Sequence, residues 1–294
     1  GTMGAQSAVV CEGFCVTDWV VDLDGVMWRG SVPIDGSSDA IATLLDRGDR
    51  VLFCTNNSME SGAVRAEHLV EQGIPDGVEV VTSADAVCSL LEPADRALVI
   101  GGPGLAQAIG ERCAEATPAA AVDASALVAA AGRVPSATDP AFDVVVVGLS
   151  RDFDYRQMEA AAAAVRGGAR LVATNDDATF PGSDGIHPGA GSVLAAVKTA
   201  AQARATVAGK PLAPMCDLIV ECLDLGEAGS AADRRADGVV VGDRPETDGA
   251  LAANLGVQFA LVLSGVTDRA DLPVAVPTAW VAEDLASLVA RVVD

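Results

Sequence analysis

Two aspartates, Asp22 and Asp24, follow directly on the apolar run Trp19-Val20-Val21, and Gly25 comes next. An apolar, β-branched run reads as a buried strand, so this strand ends by presenting two acids. A carboxylate beside a cation can act as a nucleophile and form an acyl-phosphate. A second carboxylate two residues on, past a strand-to-loop turn, can reach the leaving group as a general acid and then activate water. Other polar groups follow other apolar runs. They are Thr55-Asn56-Asn57-Ser58, then Gly209-Lys210-Pro211, then Gly242-Asp243-Arg244-Pro245-Glu246-Thr247-Asp248. Thr55, loop N–H groups and Lys210 can hold phosphoryl oxygens, the lysine as a point charge. Carboxylates gathered at one point repel unless a cation sits among them. Oxygen donors without a His or Cys cluster point to Mg²⁺. Catalysis of this kind is mostly positioning and charge neutralisation.

The elements that must place these groups alternate. Strands are expected at 20–23, 50–54, 97–100, 144–147, 171–173, 206–208, 239–241 and 258–263. Helices are expected at 37–47, 63–72, 105–114, 155–166, 191–201, 213–223 and 247–255. Strand-then-helix alternation predicts parallel α/β sheets with buried strands, and ligands in such sheets bind beyond the carboxyl ends of the strands. No internal repeat is found. Residues 114–141 are rich in Ala and Pro with weak periodicity, as expected of a variable part of a second domain.

Composition narrows the function classes. The 294 residues suffice for two domains, and with aromatics at 3 % the cores must be built from Ala, Val and Leu. A formal net charge of -22 opposes nucleic acid and anionic membranes, and means that an anionic substrate needs a local cation. Lys198 and Lys210 are the only lysines, against seventeen arginines, so a lysine here marks a place where a guanidinium fork does not serve. Seven scattered cysteines without a CxxC pair read as reduced cytoplasmic thiols, and Cys54 reads as packing. No signal peptide and no 18-residue uncharged apolar stretch is visible. The opening Gly1-Thr2-Met3-Gly4 reads as a tag remnant.

Three tempting motifs fail. Gly101-Gly102-Pro103-Gly104 lacks the third glycine of a dinucleotide fingerprint, Gln107 standing in its place, and reads as a tight strand-to-helix turn. Gly209-Lys210-Pro211 is no P-loop, because Arg204 and Pro211 replace the required Gly and Ser/Thr. Gly148-Leu149-Ser150-Arg151-Asp152 lacks the second glycine of a nucleophile elbow.

The four strand ends, in this order, resemble the haloacid dehalogenase (HAD) superfamily of phosphohydrolases, over nearly the whole chain. Asp22–Val26 matches DxDG(V/T), Thr55 the Thr/Ser motif, Lys210 the lysine motif, and Asp243–Asp248 the GDxxxTD motif. The long gap from Ser58 to Gly209 is where that superfamily carries its larger cap domain. "DLDGV", "TNNS", "VATNDDATFP", "PGAGS" and "GKP" look like the type IIA subfamily. The resemblance implies a Rossmann-like parallel-sheet core at 1–92 and 204–294 with an inserted α/β cap at 93–203. It implies Mg²⁺-dependent hydrolysis of a small phosphorylated metabolite, with Asp22 as nucleophile and metal ligand. Asp24 is then the general acid/base, its carbonyl on the metal. Asp243 becomes a ligand and Asp248 the holder of a metal-bound water. Thr55, Asn56 and Lys210 bind the phosphoryl group, and Lys210 also neutralises Asp22. Asn175 and Asp177 are candidate substrate contacts from the cap, and a homodimer through the cap is common in relatives. The chain departs in having Asn175-Asp176-Asp177 where Asn-Pro-Asp is usual, and Gly249 where an aliphatic residue is usual. Asp24 argues against a slow phosphate-accepting switch protein, and against a true dehalogenase.

Overall fold

Every strand of the two main sheets is short and runs parallel to its neighbours, and the central ones are rich in Val, Leu and Ala. The computed structural model describes residues 17–131, 141–182, 184–224 and 238–293. In chain order the first sheet holds β1 (Asp18–Val21), β4 (Arg50–Thr55), β5 (Glu79–Thr82), β13 (Val239–Gly242), β14 (Gln258–Val262) and β15 (Trp280–Ala282). Its spatial order is β15-β14-β13-β1-β4-β5. A ribbon of β2 (Trp28–Arg29) and β3 (Val32–Pro33) follows β1. The second sheet holds β6 (Arg96–Ile100), β7 (Glu115–Pro118), β8 (Val144–Val147), β9 (Arg170–Ala173) and β12 (Thr206–Val207), in the order β12-β9-β8-β6-β7. The hairpin β10 (Thr179–Gly182) and β11 (Gly185–Pro188) projects from it.

Alternation of side chains along each strand builds three apolar layers. Trp19, Val21, Phe53 and Val241 face the helices Ser37–Asp46 and Leu285–Val293. Val145, Val147, Leu98 and Ala173 face the helices Tyr155–Arg166 and Ala190–Ala201. The intervening residues form one shared layer. Val20, Leu52 and Val240 of the first sheet belong with Val99, Val144, Val146 and Val172 of the second, joined through the helices Ser83–Cys88, Pro103–Arg112 and Ala213–Cys222. Each such side chain contributes about 1.5–3 kcal/mol on burial, so the shared layer opposes free hinge motion of the sheets.

The α/β class and parallel sheets are as expected, but three details differ. Strand β12 pairs with β9, so the second sheet continues past residue 203, to Val207. The helix expected at 247–255 becomes regular only over Ala250–Leu255, after a wide turn at Pro245–Gly249. A Cβ at Gly249 would press on Val276 and Phe259, which accounts for the glycine there. Within 114–141, residues 115–131 form β7 and the helix Ala124–Ala131; 132–140 lie outside the described residues, as do Cys11, Cys15 and the opening tetrapeptide. No helix of the described residues is long and apolar enough to cross a membrane.

Candidate active site

Strands β4, β1 and β13 lie side by side, and their register decides which residues meet at their ends. Val21 pairs with Phe53 on one side and Val241 on the other. The next residues along each strand, Asp22, Cys54-Thr55 and Gly242-Asp243, are therefore brought level. Asp22 lies just past β1 and donates its N–H to the Val241 carbonyl at 2.9 Å. Gly25 has φ of 92°, a conformation costly for other residues, and a Cβ on it would strike the Asp243 carboxylate.

Lys210 arrives from the other sheet. Gly209 donates to the Thr174 carbonyl at 2.6 Å, which continues the β9–β12 pairing, and Lys210 follows. The Lys210 ammonium is 3 % exposed. It donates to Asp22 Oδ1 at 2.7 Å, to Asp248 Oδ1 at 2.8 Å and to the Cys54 carbonyl at 3.1 Å. Burial opposes its charge, but Asp22 and Asp248 outweigh this and hold its pKa well above the ordinary lysine value. Lys198, by contrast, is exposed on its helix.

Asp22, Asp243 and Asp248 each offer one carboxylate oxygen within 4.8 Å of the others, and all three are buried. Burial, with help from Asp248 and Asp243, pushes the Asp22 carboxyl well above the usual carboxylate range despite Lys210. Burial and Asp248 push Asp243 to about 7. Asp243 Oδ1 is buried without a hydrogen-bond partner among the described residues, an arrangement that costs free energy unless a ligand satisfies it. An all-oxygen donor set, an orphaned carboxylate oxygen and crowded acids fit a hard divalent cation such as Mg²⁺. Gly242 lets Asp248 fold back, since a Cβ there would overlap the Asp248 carboxyl group. Arg244 N–H then donates to Asp248 Oδ2 at 3.1 Å.

Asp24 stands at the mouth. The Trp28 indole N–H donates to its Oδ1 at 3.0 Å, and Asn57 Nδ2 approaches Oδ2 at 3.4 Å. Thr55 is buried, and its hydroxyl oxygen accepts from Asn57 N–H at 3.0 Å. The Asn56 side chain is committed elsewhere. Its Oδ1 accepts from Lys210 N–H at 2.8 Å, and its Nδ2 donates to Asp177 Oδ2 at 2.8 Å. Asn175 Nδ2 donates to the same Asp177 oxygen at 2.6 Å. Asn175 and Asp177 thus line the cavity and also tie the second sheet to the loop after β4. His187 lies on β11 and stacks on Phe180 at 5.3 Å.

Sequence reasoning missed the loop after β14. Val266 N–H donates to Asp243 Oδ2 at 2.6 Å, Thr267 hydroxyl to the Asp243 carbonyl at 2.5 Å, and Ser264 hydroxyl to the Gly25 carbonyl at 2.6 Å. The stretch Ser264-Gly265-Val266-Thr267, directly after the strand expected at 258–263, is the signal that would have found them. Trp28 and Arg244, whose guanidinium donates to the Thr179 carbonyl at 3.3 Å, carried no comparable signal.

A parallel α/β sheet with a lysine among three buried carboxylates at its strand ends defines a metal-assisted phosphoryl-transfer type of site. Residues 19–112 match the family profile described as haloacid dehalogenase-like hydrolase, and residues 207–288 a HAD-hydrolase-like profile. The chain is 36 % identical over 279 residues to a D-glycerol 3-phosphate phosphatase of Mycobacterium tuberculosis, covering 92 % of this chain and 70 % of that one. It is 30 % identical over 272 residues to an acid sugar phosphatase of Staphylococcus saprophyticus, covering 91 % and 94 %. The crystal structure of the Mycobacterium tuberculosis glycerol phosphate phosphatase in complex with magnesium superposes with a TM-score of 0.73 at 32 % identity, covering 93 % of this chain and 77 % of that one. The chain belongs to the haloacid dehalogenase-like hydrolases, in their type IIA subfamily.

Proposed function

We propose that the protein hydrolyses a small phosphate monoester through an aspartyl-phosphate on Asp22. The observation that carries this reading is the Lys210 ammonium held between Asp22 and Asp248 beside an orphaned Asp243 oxygen. The relatives' names support it, since they are phosphatases of glycerol phosphate and of acid sugars.

In this reading Asp22 attacks phosphorus; Lys210 offsets part of the burial that disfavours its charge, and the bound cation would supply the rest. Asp24, at the mouth and oriented by Trp28, gives its proton to the leaving alcohol and takes one from the incoming water. Thr55, the main-chain N–H of Asn56 and Lys210 receive the phosphoryl oxygens. Asp22, Asp243 and the Asp24 carbonyl would hold Mg²⁺, with Asp248 on a bound water. The ion would neutralise charge developing on the phosphoryl oxygens. The second sheet and its hairpin serve as an inserted cap that keeps bulk water out, with Asn175 and Asp177 at the junction. We place the enzyme in the cytoplasm, in keeping with the free thiols of all five described cysteines. A homodimer through the cap would cover the exposed Tyr155 and Ile186.

The test is phosphate release from p-nitrophenyl phosphate in Mg²⁺ and after EDTA. Turnover that is lost in EDTA and restored by Mg²⁺ supports the reading. Metal-independent turnover, or none, contradicts it.

A further inference from the structure

The catalytic cavity is small. It encloses about 70 Å³, room for the few heavy atoms of a phosphoryl group at about one water-sized sphere of 10–15 Å³ apiece. The alcohol part of a substrate must therefore occupy the adjoining cavity of about 960 Å³, which shares Asp24, Asn57, Leu149, Phe180 and Pro181 with the first. Four basic side chains line this larger space, Arg65, His68, Arg151 and His187. Three of them face acids. Arg65 pairs with Glu60 at 3.2 Å, His68 faces the same carboxylate at 3.7 Å, and His187 meets Asp184 at 2.7 Å.

Arg151 differs. Among the described residues its guanidinium makes no hydrogen bond and no ion pair. Asp184, whose charge it feels, is already bonded to His187. The Arg151 guanidinium lies over the Phe180 ring, 5.8 Å from the centroid, and His187 stacks on that ring at 5.3 Å. An arginine resting on an aromatic face keeps its donor edge free while its conformation is restrained. In a chain of net charge -22, a guanidinium left unpaired beside the substrate's path is a receptor for an oxyanion.

We propose that Arg151 is a specificity residue that pairs with a carboxylate on the substrate's alcohol, so that the preferred substrates are phosphate monoesters of small hydroxy acids rather than of neutral polyols. This rests on the phosphatase reading above. A carboxylate fits better than a second phosphate. Asp24, Glu60, Glu71 and Asp184 line the same space, and one free guanidinium balances a single added charge but not nearly two.

The test compares 3-phosphoglycerate with glycerol 3-phosphate, which differ in a carboxylate against a hydroxymethyl group. Wild type should favour 3-phosphoglycerate in kcat/KM. Arg151→Gln should lower the ratio of the two kcat/KM values about tenfold or more, the scale of a lost charge-assisted hydrogen bond. The change should appear in KM for 3-phosphoglycerate rather than in kcat, and Arg151→Lys should restore part of it. Hydrolysis of p-nitrophenyl phosphate together with an unchanged ratio in Arg151→Gln, or a wild-type preference for glycerol 3-phosphate, would overturn the assignment alone. If wild type hydrolyses none of the three compounds, the phosphatase reading falls, and the assignment with it.

Discussion

Lys210 sits 2.7 Å from Asp22 Oδ1 although the two are carried by different sheets. Asp22 follows β1, whereas Lys210 follows β12, the edge strand next to β9. The charge balance at Asp22, the proposed nucleophile, therefore depends on how the two sheets are docked. Lys210→Met should lower kcat by about 10²–10³-fold, the scale of losing one preorganised charge contact. It should also destabilise the protein by about 3–5 kcal/mol at neutral pH, because it leaves buried carboxylates without their cation. Steady-state kinetics and urea denaturation check the two effects separately; a variant with wild-type kcat would contradict the role.

Trp28 orients Asp24 through a 3.0 Å hydrogen bond from its indole N–H. Trp28→Phe keeps an aromatic ring in a buried position and removes the donor. A hydrogen bond is worth about 0.5–1.5 kcal/mol net, so kcat should fall several-fold, up to about tenfold, with a smaller change in KM. The split between kcat and KM, measured on p-nitrophenyl phosphate, distinguishes an oriented acid from a merely damaged pocket.

Burial and Asp248 raise Asp243 to about 7, against about 3.9 for an unfolded aspartate. Between those values the folded state of the metal-free protein binds more protons than the unfolded one. Through Asp243 its stability must then fall as pH rises from about 4 to about 7, and the raised Asp22 carboxyl adds to the fall. A cation among the carboxylates reverses the penalty and is favoured where they are ionised. Thermal melts in EDTA should show a lower Tm at pH 8 than at pH 5, and Mg²⁺ should raise Tm more at pH 8. Asp243→Asn should reduce both effects, the remainder coming from Asp22. An equal Mg²⁺ increment at the two pH values would contradict this account.

Much of the site was legible because parallel sheets present function at strand ends. Asp22, Thr55 and Asp243 are positioned by β1, β4 and β13, whose apolar runs are unmistakable, and the rarity of lysine singled out Lys210. The features that were not legible depend on register and on long-range packing. The pairing of β12 with β9 rather than with the first sheet cannot be read from two residues, Thr206 and Val207. The resemblance implied Asn56 as a phosphate ligand, but nothing in the sequence told that its side chain meets Lys210 N–H and Asp177, contacts across more than a hundred residues. Arg151 lay in a motif set aside as a failed nucleophile elbow, and only the fold sets it against Phe180.

The central claim is that Asp22 is the group that takes the phosphoryl. Phosphate release from p-nitrophenyl phosphate in Mg²⁺, compared between wild type and Asp22→Asn, tests it most directly. A carboxamide of the same shape keeps the packing but is no nucleophile, so kcat should fall about 10³-fold or more, with the circular dichroism spectrum unchanged. Turnover by Asp22→Asn at the wild-type rate would contradict it.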